Sequence, residues 1–493
     1  MQIQLSPYHG RPDFTGIEAS SSGDIDAVSV ADILRNAFVY PPHSILENVK
    51  LASFGFDAGQ DMRAGPEFRF AFREADMQPE RDVPSSGELV KTYHRLLCEA
   101  IQASTADMRT PWLLQSGGKD STSLAIAMAD ARPDATCLTY LGGSEENEIE
   151  SASAVARTLG LRHEVVVCDP GRCYDRYLAV MHRMPLLTAD FALLSYIDMA
   201  TEIAARGGDG IVDGLGSDIY FGMPAPARKR LLTMLAKDER WPRHLVELPL
   251  IGDNFKLCFL LGTLQMNSRE RYFPGSRFSD DEVDALMGRD IARASRERMA
   301  PFEKELSSAT SADELRAMML CITEAGAGFA KGLYTGNALS LPIAYPYCDR
   351  RLREWVARDL PRNQRVDVSG RRNKILVRQH IGAHFGELTY VVQKKGSFRF
   401  DLVGLARERF DQVHAFAHEA RDMVPGAAAW LERNRRRMGN KFHASRFYLL
   451  AVVLPWLARP DHAAGHGHER AMGPAHRVGM TDAVPGEKGA WVA

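Results

Sequence analysis

The chain is poor in cysteine and lacks the cysteine pairs that build thiolate metal sites. Its seven cysteines are scattered over 493 residues, and none forms a Cys-x-x-Cys motif. This spacing argues against a structural zinc site built on paired thiolates and against a thioredoxin-like redox site. Sparse, unpaired cysteines in a long chain are typical of a reducing compartment, so we expect a cytoplasmic protein.

Long apolar segments and an excess of charge are also missing. The longest apolar run, at 447–458, is too short to span a bilayer and contains Pro455, so we predict a buried helix there. The opening residues show no basic stretch followed by an apolar one, the pattern of a signal peptide. A formal net charge of −2 gives no electrostatic case for an anionic polymer or surface. We therefore expect neither a nucleic-acid nor a membrane partner.

Strand–helix alternation begins near residue 88 and indicates the fold class. Short apolar runs predict buried strands at 111–115, 136–141, 163–167 and 210–214. Helical periodicity fills the segments between them, an order typical of a parallel sheet covered by helices. We predict an α/β fold with helices on both faces of the sheet, and a helical C-terminal half that includes 225–360 and 400–458.

Composition divides the chain into three regions. Residues 1–87 form a small N-terminal lobe, too short to hold a large core of its own, and 88–458 form the main domain. The tail at 459–493 is rich in Gly, Pro, His and Ala, a composition typical of disorder. We interpret its four histidines, His462, His466, His468 and His476, as solvated residues rather than metal ligands.

The segment "LLQSGGKDSTS" at 113–123 leads from a predicted strand into a predicted helix. Two adjacent glycines let backbone amides approach a ligand without a Cβ in the way. The helix N-terminus adds unsatisfied N–H donors and a partial positive charge, which favours an anion at the C-terminal edge of the sheet. The predicted nucleotide-binding residues of this loop are Leu114, Ser116, Gly117, Gly118, Asp120 and Ser121.

A carboxylate within a phosphate-binding loop predicts a metal ion. Asp120 would repel phosphate unless a cation lay between them, and Mg²⁺ is the cation that suits carboxylate and phosphate oxygens. The loop is neither a GxxxxGK[ST] motif nor a GxGxxG motif.

A second glycine-rich segment, "VDGLGSDIYFG" at 212–222, again follows a strand-like run. It adds Gly214 and Gly216 to the predicted nucleotide-binding residues. Two carboxylates from two strand ends can hold one divalent cation against pyrophosphate, so Asp218 is the predicted partner of Asp120.

SGGKDS resembles the signature of the ATP-pyrophosphatase (PP-loop) superfamily. The segment at 212–222 resembles that of the asparagine synthetase family, which includes β-lactam synthetases and lasso-peptide cyclases. The resemblance implies ATP and Mg²⁺ as cofactors, cleavage of ATP between its α and β phosphates, and an adenylated intermediate. It makes 88–458 a synthetase domain, with Asp120 and Asp218 as its metal ligands.

Further segments follow in the family's order. "YPYCDRRLREWV" at 345–356 resembles the family's PFLDxxLxE segment, and we interpret it as the start of a helix with Asp349 near its N-terminus. "NKILVRQHI" and "QKKGSF" resemble the family's KxxLR helix and basic loop, which implies roles for Lys374 and Lys394 beside the leaving pyrophosphate, with Lys395 as a rival for the second role. Lys374, Lys394 and Asp218 are the predicted catalytic residues.

Several positions depart from the family pattern. Gln2 stands where amidotransferring members have a nucleophilic cysteine, and residues 1–87 resemble only the connector that ends their glutaminase domain. We therefore expect ammonia from solution or from a separate glutaminase, or an amine on the substrate. Leu215 stands where relatives have a glutamate or a tyrosine base, and Ile219 replaces the next glutamate. Glu324 is a candidate for the missing base.

The resulting hypothesis is an ATP-dependent synthetase that adenylates a carboxylate and transfers the acyl group to ammonia or an amine. The partners expected are a small-molecule or peptide carboxylate and an amine acceptor, with a homodimer as an open alternative. Two narrower functions also stay open, amidation of a uronic-acid sugar and cyclisation of a peptide or lactam. A pseudo-synthetase that only binds nucleotide is a further alternative, favoured by Leu215.

Overall fold

The computed structural model describes most of the chain in separate ranges. They are 2–3, 14, 17, 25–51, 54–58, 67–73, 85–142, 149–221, 254–266, 269–272, 277–366, 372–386 and 400–459.

Strands within these ranges form three sheets. They are β1 Gln2–Ile3, β2 Lys50–Leu51, β3 Phe56–Ala58, β4 Phe68–Phe70, β5 Pro111–Leu114, β6 Thr136–Leu141, β7 Arg162–Val167, β8 Gly210–Val212 and β9 Ile343–Ala344. The largest sheet has the order β7-β6-β5-β8-β9, and each of its neighbouring pairs is parallel. β1 pairs with β2 and β3 pairs with β4 in two small sheets.

Helices connect and cover the strands. In the described ranges they are α1 Ala27–Asn36, α2 Ser86–Ser104, α3 Lys119–Ala131, α4 Ile149–Thr158, α5 Pro170–Val180, α6 Leu193–Ala205, α7 Ser217–Tyr220, α8 Phe255–Leu264, α9 Asp280–Met287, α10 Ala292–Glu297, α11 Ala300–Ser307, α12 Ala312–Gly326, α13 Gly328–Leu339, α14 Arg350–Arg358, α15 Arg362–Arg365, α16 Ile375–Phe385, α17 Leu402–Glu419, α18 Ala427–Asn434 and α19 Lys441–Leu457. Short 3₁₀ turns occupy Met181–Arg183, Glu270–Tyr272, Pro346–Cys348 and Arg435–Arg437.

Helices cover both faces of the central strands, whose successive residues point to opposite sides. The prediction of a buried strand at 163–167 was wrong in part: β7 lies at the edge of the sheet, and Val167 is 59% exposed. Leu113 of β5 packs in a cluster with α2, α3 and α16. Its neighbour Trp112 packs with Tyr196 and Ile203 of α6 on the other face. This arrangement confirms the predicted α/β fold with helices on both faces of a parallel sheet.

The strand order places a topological switch point at the centre of the sheet. After β5 the chain adds β6 and β7 on one side, and it then returns to place β8 on the other side of β5. The loops after β5 and β8 therefore leave the same edge next to each other, and ligands bind at such points in open α/β sheets. Both glycine-rich motifs lie on these two loops.

The N-terminal region shares its core with the helical C-terminal half. Ile33 and Leu34 of α1 are fully buried in one cluster with residues of α13, α17 and α19. Buried ion pairs reinforce the contact: Arg35 Nη2 lies 2.6 Å from Glu270 Oε1, and Arg298 Nη1 lies 2.8 Å from Asp32 Oδ2. The proposed boundaries at 87/88 and 458/459 stay predictions.

The predicted buried helix near the C-terminus is present as α19. It runs through Pro455 and is buried along nearly its whole length. None of the helices in the described ranges combines the length and the apolar character needed to cross a bilayer.

A leucine truncation tests whether α1 belongs to the shared core. Leu34→Ala should lower the free energy of unfolding by about 2–5 kcal/mol, because it leaves a cavity at a fully buried site. The matched control Leu257→Ala, at a side chain that is 42% exposed, should change it by less than about 0.5 kcal/mol. Denaturant titration measures both, and equal small effects would show that α1 adds nothing to the core.

Candidate active site

The first glycine-rich loop is closed by its own hydroxyl groups. The Ser121 hydroxyl donates to the carbonyl oxygen of Ser116 at 2.6 Å, and the backbone N–H of Ser116 donates to Ser121 Oγ at 3.2 Å. The N–H of Gly118 donates to Ser116 Oγ at 3.2 Å. Both hydroxyl groups therefore shape the loop, Ser121 from a buried position and Ser116 from an exposed one.

Hydrogen bonds to β6 hold the start of this loop against the sheet. Leu114 ends β5 beside β6, and the next residue, Gln115, donates its N–H to the carbonyl of Leu138 at 2.8 Å. The Thr139 hydroxyl donates to the carbonyl of Gln115 at 3.0 Å. After Gly118 the chain enters α3, so the amide groups of its first turn face the edge of the sheet where the two motif loops meet.

The second loop contacts the first through Ser217. Its hydroxyl donates to Asp120 Oδ1 at 2.7 Å, across 97 residues of sequence. The preceding Gly216 has φ +99°, and an added Cβ would lie 2.6 Å from Cys348 Sγ, so this turn requires glycine. A Cβ added at Gly214 would lie no closer than 3.9 Å to its nearest neighbours, so sterics alone do not require glycine there.

Lys374 joins the two loops by ion pairs with both predicted metal ligands. Its Nζ lies 2.5 Å from Asp120 Oδ2 and 2.5 Å from Asp218 Oδ1. The two carboxylates are therefore no further apart than twice that distance. The Lys374 side chain is buried, whereas Asp218 is exposed to solvent. One cation position is thus shared by carboxylates from two neighbouring strand ends.

The backbone holds Lys374 in an unusual conformation. It precedes α16 with φ +57°, a left-handed value that is uncommon for a residue with a side chain. Its N–H donates to the carbonyl of Arg365 at 2.6 Å, which helps to fix the turn. Burial lowers the pKa of Lys374, but the charges of Asp120 and Asp218 outweigh it and raise the pKa above its usual value. The ammonium is therefore charged at neutral pH.

Two further cations lie near the same carboxylates. Burial is the main cause that lowers the pKa of Lys119, followed by the neighbouring charge of Arg378. Burial also lowers the pKa of Arg378 itself, and the charge of Asp120 partly offsets this. Positive charge around a loop at the N-terminus of a helix favours a polyanion such as a triphosphate.

A buried hydrogen-bonded pair of tyrosines supports the first loop. The Tyr347 hydroxyl donates to the carbonyl of Asp120 at 2.9 Å, and the Tyr93 hydroxyl donates to Tyr347 at 3.3 Å. Tyr347 lies just before Asp349, whose side chain caps α14 by accepting from the N–H groups of Arg351 and Leu352. The predicted helix start at Asp349 is therefore present.

These loops occur in a chain that matches a known family over most of its length. The family model for asparagine synthase matches residues 92–398, which include both loops and Lys374. The chain belongs to the asparagine synthase family. Membership makes it, in general terms, an ATP-dependent carbon–nitrogen ligase.

Other comparisons give weaker likenesses. The ammonia-dependent NAD synthetase from Campylobacter jejuni subsp. jejuni NCTC 11168 is 10% identical, with a TM-score of 0.22 over 49% of this chain and 94% of its own. The NAD⁺ synthetase from Burkholderia pseudomallei is 16% identical, with a TM-score of 0.20 over 48% and 94%. A search of curated proteins found no match.

This asparagine synthase family member has a cluster of three acidic residues and the buried Lys331 behind its second loop. Asp213 follows β8, is buried, and accepts from the N–H of Leu215 at 3.1 Å. Burial raises the pKa of Asp213. Lys331 Nζ lies 3.4 Å from Asp190 Oδ1, and although burial lowers its pKa, the charges of Asp190, Glu324 and Asp213 raise it overall.

Glu324, the candidate base, belongs to this cluster. Burial raises its pKa to about 7; the charge of Lys331 opposes the rise, and the charges of Asp190, Asp218 and Asp213 add to it. Its pKa therefore responds to the charge of one of the two convergent carboxylates. A carboxyl group with a pKa near neutrality can take up and release a proton at physiological pH.

The structure brings most of the predicted site residues to one edge of the sheet. Sequence reasoning missed Ser217 as a partner of Asp120 and Lys119 as a neighbouring cation. Both lay within the motifs, yet a motif does not reveal which side chains face each other across two loops. Lys394 and its rival Lys395 lie outside the described residues, so their roles stay predictions.

Removal of the Lys374 ammonium tests whether it occupies a cation site. Lys374→Met should tighten Mg²⁺ binding to the nucleotide-free protein by roughly tenfold or more, about 1.4 kcal/mol, because the two carboxylates lose the charge that now neutralises them. Isothermal titration calorimetry measures the change. The control Lys304→Met removes an exposed, paired lysine and should leave Mg²⁺ affinity unchanged.

The double variant Lys374→Met/Asp218→Asn should lose this increase in Mg²⁺ affinity. Unchanged Mg²⁺ affinity in Lys374→Met would mean that the ammonium and the metal do not compete for one position.

Proposed function

We propose that this protein is an AMP-forming synthetase that adenylates a substrate carboxylate and transfers the acyl group to ammonia or an amine. The observation that carries the proposal is the convergence of Asp120 and Asp218 on one cation position at the switch point of the sheet. Family membership supports the general reaction class, and the cations around the loops suit a triphosphate.

The donor set fits Mg²⁺. Asp120 and Asp218 offer carboxylate oxygens that already surround a single positive charge, and such hard oxygen donors are those that Mg²⁺ prefers. When bound, the ion would neutralise phosphate charge and orient the phosphates. Ser217 keeps the Asp120 carboxylate oriented by donating to Oδ1.

The first half-reaction uses the positive charge of the loops. An oxygen of the substrate carboxylate attacks the α-phosphorus of ATP, and the bond from that phosphorus to the bridging oxygen breaks. The electron pair leaves with pyrophosphate, and an acyl-adenylate remains. Lys374 has its ammonium next to both carboxylates, so a small movement of the side chain brings it to the departing charge. We propose Lys394 as its partner in this role.

The second half-reaction needs a group that accepts a proton. The amine attacks the acyl carbon, the bond to AMP breaks, and the amine nitrogen loses a proton. Leu215 cannot accept it, although relatives have a glutamate or a tyrosine there. Glu324 has a pKa of about 7 and lies behind the second loop, so we assign it this role.

Product analysis tests the reaction class. With a panel of carboxylic acids and hydroxylamine as a general acceptor, the protein should release AMP and pyrophosphate and form a hydroxamate. Asp120→Asn should reduce this turnover by at least about 100-fold, because it weakens both the metal site and its bond to Ser217. The control Asp411→Asn, at an exposed position on α17, should keep full turnover.

Production of ADP and phosphate would contradict adenylation. Full activity in Asp120→Asn would contradict the assignment of the site.

The pH dependence of acyl transfer tests Glu324. Only the deprotonated carboxylate can accept the proton, so amide formation should rise as pH increases through about 7. Glu324→Gln should lose that part of the pH profile and lower amide formation by about 100-fold, while pyrophosphate release in the first half-reaction is kept.

The control Glu297→Gln, at an exposed position, should show the same pH dependence of amide formation as the parent protein. The acceptor titrates identically in every variant, so an unchanged profile in Glu324→Gln would contradict its role as the base.

A further inference from the structure

Three histidines from two packed helices form a cluster on the side of the sheet occupied by α2, α3 and α16. His94 lies on α2, and His380 and His384 lie one turn apart on α16. One ring nitrogen of each lies within 4.8 Å of those of the other two. The ring centroids are separated by 5.1 Å, 5.7 Å and 5.2 Å.

Each of the three rings has one nitrogen beside a hydrogen-bond acceptor. His94 Nε2 lies 2.9 Å from Asp130 Oδ2, His380 Nδ1 lies 2.9 Å from Ser123 Oγ, and His384 Nδ1 lies 3.1 Å from the carbonyl oxygen of His380. A proton on each of these nitrogens satisfies all three contacts. Histidines that bind metals almost always donate their second nitrogen in this way, which fixes the tautomer.

With those tautomers, the second nitrogen of each ring is unprotonated. We call these three atoms the inner nitrogens, and their lone pairs face one another. His94 Nδ1 and His380 Nε2 are only 2.9 Å apart. Two lone pairs at that distance repel unless a proton or a metal ion lies between them. A zinc ion bound at about 2.0–2.1 Å from each nitrogen would separate tetrahedral ligand atoms by about 3.3 Å, within the range that the cluster spans.

We propose that His94, His380 and His384 bind a transition-metal ion, Zn²⁺ in particular, with a fourth position open to water. Imidazole nitrogens suit zinc and are poor ligands for Mg²⁺, so this site does not compete for the magnesium of the active site. The Cys98 thiol is 3.4 Å from the outer nitrogen of His94, on the side away from the other rings, and is not in the ligand set.

The cluster is open to solvent on one side and closed on the other. His384 is exposed and His94 is half-buried, which gives an ion a path to the site. His380 is fully buried and closes the inner side of the cluster.

A chain of hydrogen bonds connects this cluster to the nucleotide loop. His380 contacts Ser123, whose hydroxyl is 2.8 Å from that of Tyr93. Tyr93 donates to Tyr347, which donates to the carbonyl of Asp120. On the other side, α16 begins immediately after Lys374. Zinc would therefore restrain the helices that position both Asp120 and Lys374.

Metal stoichiometry tests this site independently of any synthetase activity. The test uses the full chain, purified without a histidine tag, with His462, His466, His468 and His476 replaced by glutamine to remove binding by the tail. After dialysis in a zinc buffer, elemental analysis should find one zinc per chain. Thermal unfolding should shift upwards by several degrees with zinc.

His384→Ala should bind zinc at least about tenfold more weakly and lose the thermal shift. This exposed residue was chosen because its substitution leaves the core intact, and circular dichroism verifies the fold. The matched control is His418→Ala on α17, an exposed histidine that also follows another histidine, His414, by one helical turn. It should bind zinc as the parent does.

Cobalt gives a second measurement. Co²⁺ should produce the visible absorption of a four-coordinate ion in the parent and in Cys98→Ser, and not in His384→Ala. Equal zinc binding in the parent and His384→Ala, or no zinc in the parent, would overturn the proposal.

Discussion

The arrangement of the candidate site depends on one interaction, the contact of a buried ammonium with two carboxylates. Lys374 partly neutralises Asp120 and Asp218, which come from different loops and would otherwise repel each other at that distance. Because the ammonium is buried, its charge is little screened by solvent. The contact fixes three separate segments of the chain at one point.

The parallel sheet makes this contact possible. β5 and β8 are neighbours although about a hundred residues separate them, because the chain builds β6 and β7 on the opposite side first. The residues that follow the two strands must therefore emerge side by side. Helix α16 packs on the same face as α2 and α3, which brings Lys374 over the same edge. The acidic residues behind the second loop, Glu324 among them, extend the polar region beyond the two convergent carboxylates.

The sequence predicts those structural features that depend on residues close together along the chain. The apolar runs of the central strands, the helix start at Asp349 and the two glycine-rich loops could all be predicted, because each depends on a few adjacent residues. The convergence of Asp120 and Asp218 followed from the general rule that parallel strands end at one edge. By contrast, the hydrogen bond of Ser217 to Asp120 depends on how two loops face each other, which no local pattern specifies.

Other features could not be predicted for a related reason. The raised pKa of Glu324 results from burial and from charges contributed by distant segments. The histidine cluster unites residues 94 and 380, and only the His380–His384 spacing is visible in the sequence. The left-handed conformation of Lys374 is imposed by its surroundings, since lysine has no intrinsic preference for it.

The most direct test of the central claim is a crystal structure with Mn²⁺ and a non-hydrolysable ATP analogue. Anomalous scattering would locate the metal. We predict one manganese ion in contact with a carboxylate oxygen of Asp120 and one of Asp218, with the Lys374 ammonium displaced towards the phosphates. A metal that contacts only one of these carboxylates, or neither, would contradict the account.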